Sequence, residues 1–236
     1  NTLSPKELAR AIGVSESSLK RWVDEGLIPA VRTSGGHRRI PRNDALAFTR
    51  KRGYPLLRPD LLGVEEVASG HPAAESIDAV FHTALSEGRA AEAQRLVVQR
   101  FIAGDSAAGL IDDVIAPAVR AIGDLWRHDE AGIYIEHRAV AICTRILDRL
   151  QDLLAHPDSD APLALGGTPE SDPYSLSSLM GATVIAAEGW RVMNLGAFVP
   201  AHVLARAAAD HDPLMVWLAL GSTNGAEAIE RPVKAA

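Results

Sequence analysis

A single cysteine in 236 residues leaves no internal disulfide to form. Cys143 stands in Val140-Ala141-Ile142-Cys143, the setting of a small buried hydrophobe rather than of a reactive thiol. No apolar stretch approaches the ~20 residues that a bilayer span needs, and the N-terminus lacks the charged-then-apolar pattern of a signal peptide. Walker loops, Ser-His-Asp sets and paired metal-ligand clusters are missing, as are internal repeats and low-complexity tracts. These absences lead to four expectations: a reducing, cytoplasmic location, no membrane partner, and no enzymatic activity.

What is present is the balance of a globular protein, 47% hydrophobic and 23% charged, long enough for two or three small cores. The net charge of −6 hides an asymmetry. Residues 1–60 hold twelve Lys and Arg against six acids, whereas the rest of the chain holds twelve against twenty-four. A basic head on an acidic body is the charge pattern of a DNA-binding module joined to something else, because phosphate neutralisation needs local cations.

The head reads as two short helices and a hairpin. Ser4-Pro5-Lys6-Glu7 offers a cap, a first-turn proline and a capping-box glutamate, with Leu8, Ala9 and Ile12 as the apolar face and Gly13 as the stop. Ser15 caps a second helix whose Leu19, Trp22 and Val23 share one stripe, ended by Gly26. That pair is the helix-turn-helix pattern. A strand at 27–32, a tight turn at 33–36 and a returning strand at 37–40 make a wing, and a third helix over 44–52 closes the small core with Leu46 and Phe48. The candidate DNA-contacting residues are Ser15, Ser17, Ser18, Lys20 and Arg21 on the second helix, a shape suited to the major groove, with Arg32, His37, Arg38 and Arg39 in the wing.

Residues 54–72, with Pro55, Pro59 and Pro72, read as a linker between this 1–53 domain and a wholly helical stretch, 73–155. Amphipathic segments at 73–87, 89–103, 107–126 and 133–154 fit a four-helix bundle. A second linker at 156–160 leads to strands at 162–165, 192–195 and 214–220 that alternate with helices at 175–188 and 201–209, the pattern of a parallel sheet. A doubly wound sheet normally has about five strands, so 161–236 is truncated, partly disordered or completed by something else.

The run from Leu3 to Arg52, above all Arg32-Thr33-Ser34-Gly35-Gly36-His37-Arg38-Arg39-Ile40, resembles the MerR and excisionase-like winged helix-turn-helix family. The resemblance implies binding to a double-stranded operator as a homodimer or homotetramer. Trp126 with Glu136-His137 after nine intervening residues, inside a helical body and before an α/β Rossmann-like domain, extends the resemblance to light-sensing cobalamin-dependent repressors of the CarH and LitR type. In that family the bundle covers the upper face of the corrin. The resemblance makes Trp126 a packing partner, Glu136 a holding group and His137 a candidate cobalt ligand.

The chain departs from the family in the α/β domain. The family's acid-x-His-x-x-Gly loop aligns with Glu170-Ser171-Asp172-Pro173-Tyr174-Ser175, which puts Asp172 at the ligand His and Ser175 at the glycine. A carboxylate substitutes poorly for imidazole on low-spin cobalt. Ser222-Thr223-Asn224 is a partial counterpart of the family's second loop. Three readings stand: a cobalamin held without the lower His or through His137; another tetrapyrrole, haem or linear bilin, lined by Trp126, His128, Tyr134 and His137; or no cofactor at all. A corrinoid methyl-carrier protein is the rival class. His202 and His211 are read as surface residues.

Overall fold

The computed structural model describes residues 2–64, 77–125 and 130–221. Trp126, His128 and Ser222 therefore lie outside the described residues. Contacts divide the chain into two compact units, Asn1–His156 and Pro157–Ala236.

In the first unit, Thr2–Leu3 (β1) precedes helix α1, Pro5–Ile12. Ser4 accepts from the Glu7 amide while Glu7 reaches back to the Ser4 amide at 2.7 Å, so the predicted capping box is formed. Helix α2, Glu16–Asp24, follows with Ser15 as its cap. The wing is shorter than expected: β2 is Val31–Arg32 and β3 is Arg38–Pro41. Ile28 leaves the strand pattern because its side chain is buried in the core. β1 adds an antiparallel partner to β3, with Leu3 opposite Ile40, a pairing too short to show periodicity in the sequence. Helix α3, Arg42–Arg52, starts two residues earlier than the expected 44, directly after Pro41, and Trp22, Phe48 and Tyr54 form an aromatic cluster with ring centroids 5.4–6.0 Å apart.

Residues 54–64, read as part of a linker, are packed against the head. The Leu57 and Arg58 amides both donate to the Ala11 carbonyl, a 3₁₀ turn spans Pro59–Leu62, and Leu62 and Val64 are buried. Pro55 and Pro59, read as linker residues, belong to this docked strap, and Pro72 lies outside the described residues.

The helical body contains α4 (Ile77–Glu87), α5 (Ala90–Ala103), α6 (Ala107–Leu110), a π-turn at Ile111–Ile115, α7 (Ala116–Leu125) and α8 (Glu130–Leu153). The segment expected as one helix over 107–126 is thus interrupted by the π-turn, which places Ile111, Val114 and Ile115 in the core. Helices α4, α5, α7 and α8 pack on one another around Phe81, Phe101, Ile122, Ile142, Ile146 and Leu150. Cys143 lies in this core, and burial pushes its thiol up to about 12. Iodoacetamide at pH 8 is therefore expected to leave the folded chain unlabelled and to label it in urea; fast labelling of the native state would contradict the assigned burial.

Arg50 of α3 joins the head to this body. Its Nε and Nη2 donate to the carbonyls of Phe101 and Asp105 at 2.6 and 2.8 Å, and its guanidinium lies 3.5 Å from the centre of the Phe101 ring. It adds a donor to the Phe101 carbonyl, which also accepts the Gly104 amide, and is attracted by the negative end of that helix. Arg149 of α8 donates to the Gly63 carbonyl at 2.7 Å.

The second unit is a parallel sheet of β4 (Leu163–Gly167), β5 (Arg191–Asn194) and β6 (Met215–Leu218) in the order β5-β4-β6, with α9 (Ser175–Ala187) and α10 (Ala201–His211) as the crossovers. An order of second-first-third strand places the topological switch between β4 and β6, and ligands of doubly wound sheets sit outside the carboxyl ends of strands at that point. Gly166 faces Trp217 in the β4–β6 register, and the indole lies beside Gly166 and Gly181 of α9. Among the described residues no helix is long and apolar enough to cross a membrane.

Candidate functional site

The DNA-contacting chemistry read from the sequence falls on α2 and the wing. Ser15 caps α2: its Oγ accepts the Ser18 amide at 3.1 Å and lies 2.9 and 2.8 Å from the hydroxyls of Ser17 and Ser18. These three hydroxyls form one cluster at the start of the helix, where backbone amides and the helix dipole favour a phosphate. Lys20 and Arg21 are exposed, each facing an acid one turn away, Glu16 at 2.8 Å and Glu25 at 3.9 Å. Exposed pairs of this kind are worth ~0.3–0.5 kcal/mol, so both cations can exchange an acid for a phosphate. Glu16 is held below the usual carboxylate range mainly by its hydrogen bond with Lys20.

The wing turn closes through Gly36 donating to the Thr33 carbonyl at 2.8 Å and Thr33 donating to the His37 carbonyl at 2.9 Å. Gly36 has φ 78, a conformation that glycine adopts without strain. His37 and Arg32 are exposed and Arg39 is half-buried. Arg38, expected at the duplex, closes its fork on Asp24, the last residue of α2.

The remaining candidate residues fall in both units, and each set is described in its own unit. On α8, Tyr134 and His137 are exposed three residues apart on one helix face, next to exposed Ile133, while Glu136 is half-buried. Arg138 stands 5.8 Å from the Tyr134 ring. Among the described residues no group of three or more His, Cys, Asp or Glu is arranged to hold a metal, so His137 stands there as a single imidazole.

In the α/β unit the loop after β4 is organised by Asp172, which is fully buried. Its carboxylate accepts from the Tyr174 amide at 2.9 Å and from the Gly221 amide, and its own carbonyl accepts from Thr168 Oγ1 at 2.7 Å and from the Phe198 amide at 3.3 Å. The residue read at the ligand position is therefore a fastener that ties the loops after β4, β5 and β6 together at the switch point. A buried carboxylate with these amide bonds is not presented to a metal. Ser175, aligned to the family's glycine, is the first residue of α9. The loop after β4 presents Tyr174, 45% exposed, and the loop after β5 presents Phe198, 57% exposed. His202 and His211 belong to α10 and are exposed, as expected.

Phe198 has φ 57, a region that costs a non-glycine residue ~1–2 kcal/mol. Phe198→Gly is therefore expected to stabilise the α/β unit by about 0.5–1 kcal/mol in urea unfolding. An unchanged or lower midpoint would mean that contacts of the ring outweigh the strain.

Residues 2–53 match the helix-turn-helix domain family, and residues 79–151 match the B12 binding domain family. The class defined by this fold and these matches is a DNA-binding regulator carrying a cobalamin-binding-like module. Of individual proteins, the chain is similar to the HTH-type transcriptional repressor CarA of Myxococcus xanthus, 27% identical over 226 residues that cover 92% of this chain and 76% of the relative. Among solved structures, the monomethylamine corrinoid protein of Methanosarcina barkeri aligns with a TM-score of 0.46 and 20% identity over 60% of this chain and 67% of that one. A cobalamin-binding protein of Desulfitobacterium hafniense DCB-2 aligns at 0.34 and 19%, over 65% and 73%.

Sequence reasoning missed Asp24, Arg50 and Trp217. For Trp217 a signal was present, since Gly166-Gly167 inside a strand marks a close approach. Asp24 and Arg50 carry none, because each acts on a partner distant in sequence.

Proposed function

We propose that the chain is a transcriptional repressor that docks α2 in the major groove of an operator, sets the wing on the adjacent backbone, and takes a corrinoid on its body without an imidazole from the α/β loop. The observation that carries this reading is a capped, basic helix-turn-helix head clasped by Arg50 to a helical body whose residues 79–151 match the B12 binding domain family. The name of the CarA relative supports repression, and a repressor has no need of catalysis. Assembly on DNA as a homodimer or homotetramer and a cytoplasmic location belong to the same reading.

The residues present fit only part of a corrinoid site. The exposed Ile133, Tyr134 and His137 face suits a flat, largely apolar group, with His137 as the candidate cobalt ligand. Lower-face imidazole ligation does not fit. Moving the family's loop pattern two residues along places Asp172 at the acid, Tyr174 at the histidine and Ser177 at the glycine, in keeping with a buried Asp172 and an exposed Tyr174. A phenol then stands where the imidazole would enter. A bound corrinoid would supply visible absorption and, by the resemblance, a response to light.

The test is the absorption spectrum of the purified full chain before and after hydroxocobalamin in the dark, then under light, with duplex binding measured alongside. Co-elution of the corrinoid on gel filtration supports the reading. Haem or bilin bands already present in the purified chain would redirect it to another tetrapyrrole, and a blank spectrum with no uptake would remove the cofactor from it.

A further inference from the structure

The wing is a hairpin of only two residue pairs, Val31 opposite Arg39 and Arg32 opposite Arg38. β1 ties β3 to the head through Leu3 opposite Ile40, but two pairs alone do not hold β2 and the turn in place. The hairpin also sets two arginines directly across from each other, an arrangement that like-charge repulsion opposes. A third group, Asp24 at the end of α2, resolves both difficulties. Arg38 Nε lies 3.0 Å from Asp24 Oδ1, and Arg38 Nη2 lies 2.6 and 2.8 Å from its two oxygens. Arg32 Nη2 approaches the same Oδ1 at 3.8 Å. A fork closed on a carboxylate, with a second cation behind it, is the geometry in which surface charges do hold structure.

We propose that Asp24 is a positioning residue of the DNA-binding head, fixing the angle of the wing to the helix that enters the groove. Arg38 is then a strut rather than a phosphate contact: its side chain is 26% exposed, against 65% for Arg32. The acid at the C-terminal end of α2 does not repel phosphates while two guanidinium groups neutralise it. The cations left to the duplex are Arg32, Arg39 and those of α2, with His37 at the turn. The proposal rests on the DNA-binding reading and adds to it the group that makes the helix and the wing dock together.

The test uses the full chain, a duplex that the unaltered chain enriches from a random pool, and a scrambled duplex of the same composition, with both affinities followed across salt. Asp24→Asn frees the wing and uncovers a cation. It is expected to lower the enriched-to-scrambled affinity ratio by about tenfold or more while steepening the salt slope by about one, because a released arginine finds a phosphate. Asp24→Arg combined with Arg38→Asp rebuilds the tie with its charges exchanged and is expected to bring the ratio back to within about threefold. Two results overturn the proposal. If Asp24→Asn tightens both duplexes equally, Asp24 is only a repelling charge; if the exchanged pair fails to recover the ratio, Arg38 itself touches DNA. A chain that enriches no duplex overturns the DNA-binding reading and the proposal together.

Discussion

Replacing Arg50 with alanine is expected to destabilise the first unit by about 2–4 kcal/mol, among the largest losses available at a position that is not part of the apolar core. The substitution removes two bonds from a guanidinium to the carbonyls of Phe101 and Asp105 and the cation stacked on the Phe101 ring. The Phe101 carbonyl keeps the Gly104 amide as its remaining donor. Burial lowers the pKa of Arg50 and Asp105 opposes the shift, but a guanidinium keeps its charge in either case. Lysine at 50 is expected to recover less than half of the loss, since an ammonium cannot span both carbonyls in the geometry of a fork. Urea unfolding of the full chain followed by tryptophan fluorescence reads both variants. A loss below about 0.5 kcal/mol for Arg50→Ala would mean that head and body are held together elsewhere.

A second large effect is expected in the α/β unit at Gly166. A Cβ there would stand 2.2 Å from the Trp217 ring and 2.4 Å from the Trp217 carbonyl oxygen. Gly166→Ala is therefore expected to cost about 3 kcal/mol or more. Because one of the two clashes is with backbone, adding Trp217→Ala relieves only part of it. Full rescue by the double variant would show that the indole alone imposes the glycine. Among the described residues the indole N–H of Trp217 is buried without a hydrogen-bond partner, and the ring packs between sheet and helix.

The two helices of the head, its wing, the helical nature of the body and the three strands of the last unit were legible, because each depends on local signals: caps at Ser4 and Ser15, a glycine turn at Gly36, apolar stripes and alternation; the π-turn at Ile111–Ile115 left no such signal. The misreadings share a cause. Residues 54–64 have linker composition, yet two amides find the Ala11 carbonyl across the head, and no local pattern records that. Asp172 was placed at a ligand position by counting along a motif, whereas its burial and its bond to Gly221, 49 residues away, make it a loop fastener. Arg38, read as a DNA contact, also closes its fork on a carboxylate 14 residues earlier, a tie that no local pattern records. Composition shows that charge is present, but only the fold shows which charges are already engaged.

The central claim is that cations gathered on α2 and the wing dock the head on a duplex. The salt dependence of duplex affinity for the full chain tests it most directly. The account predicts that log affinity falls linearly with log salt with a slope of about −3 or steeper, as several phosphates exchange counterions for Lys and Arg. A slope near zero, or no binding at low salt, would contradict it.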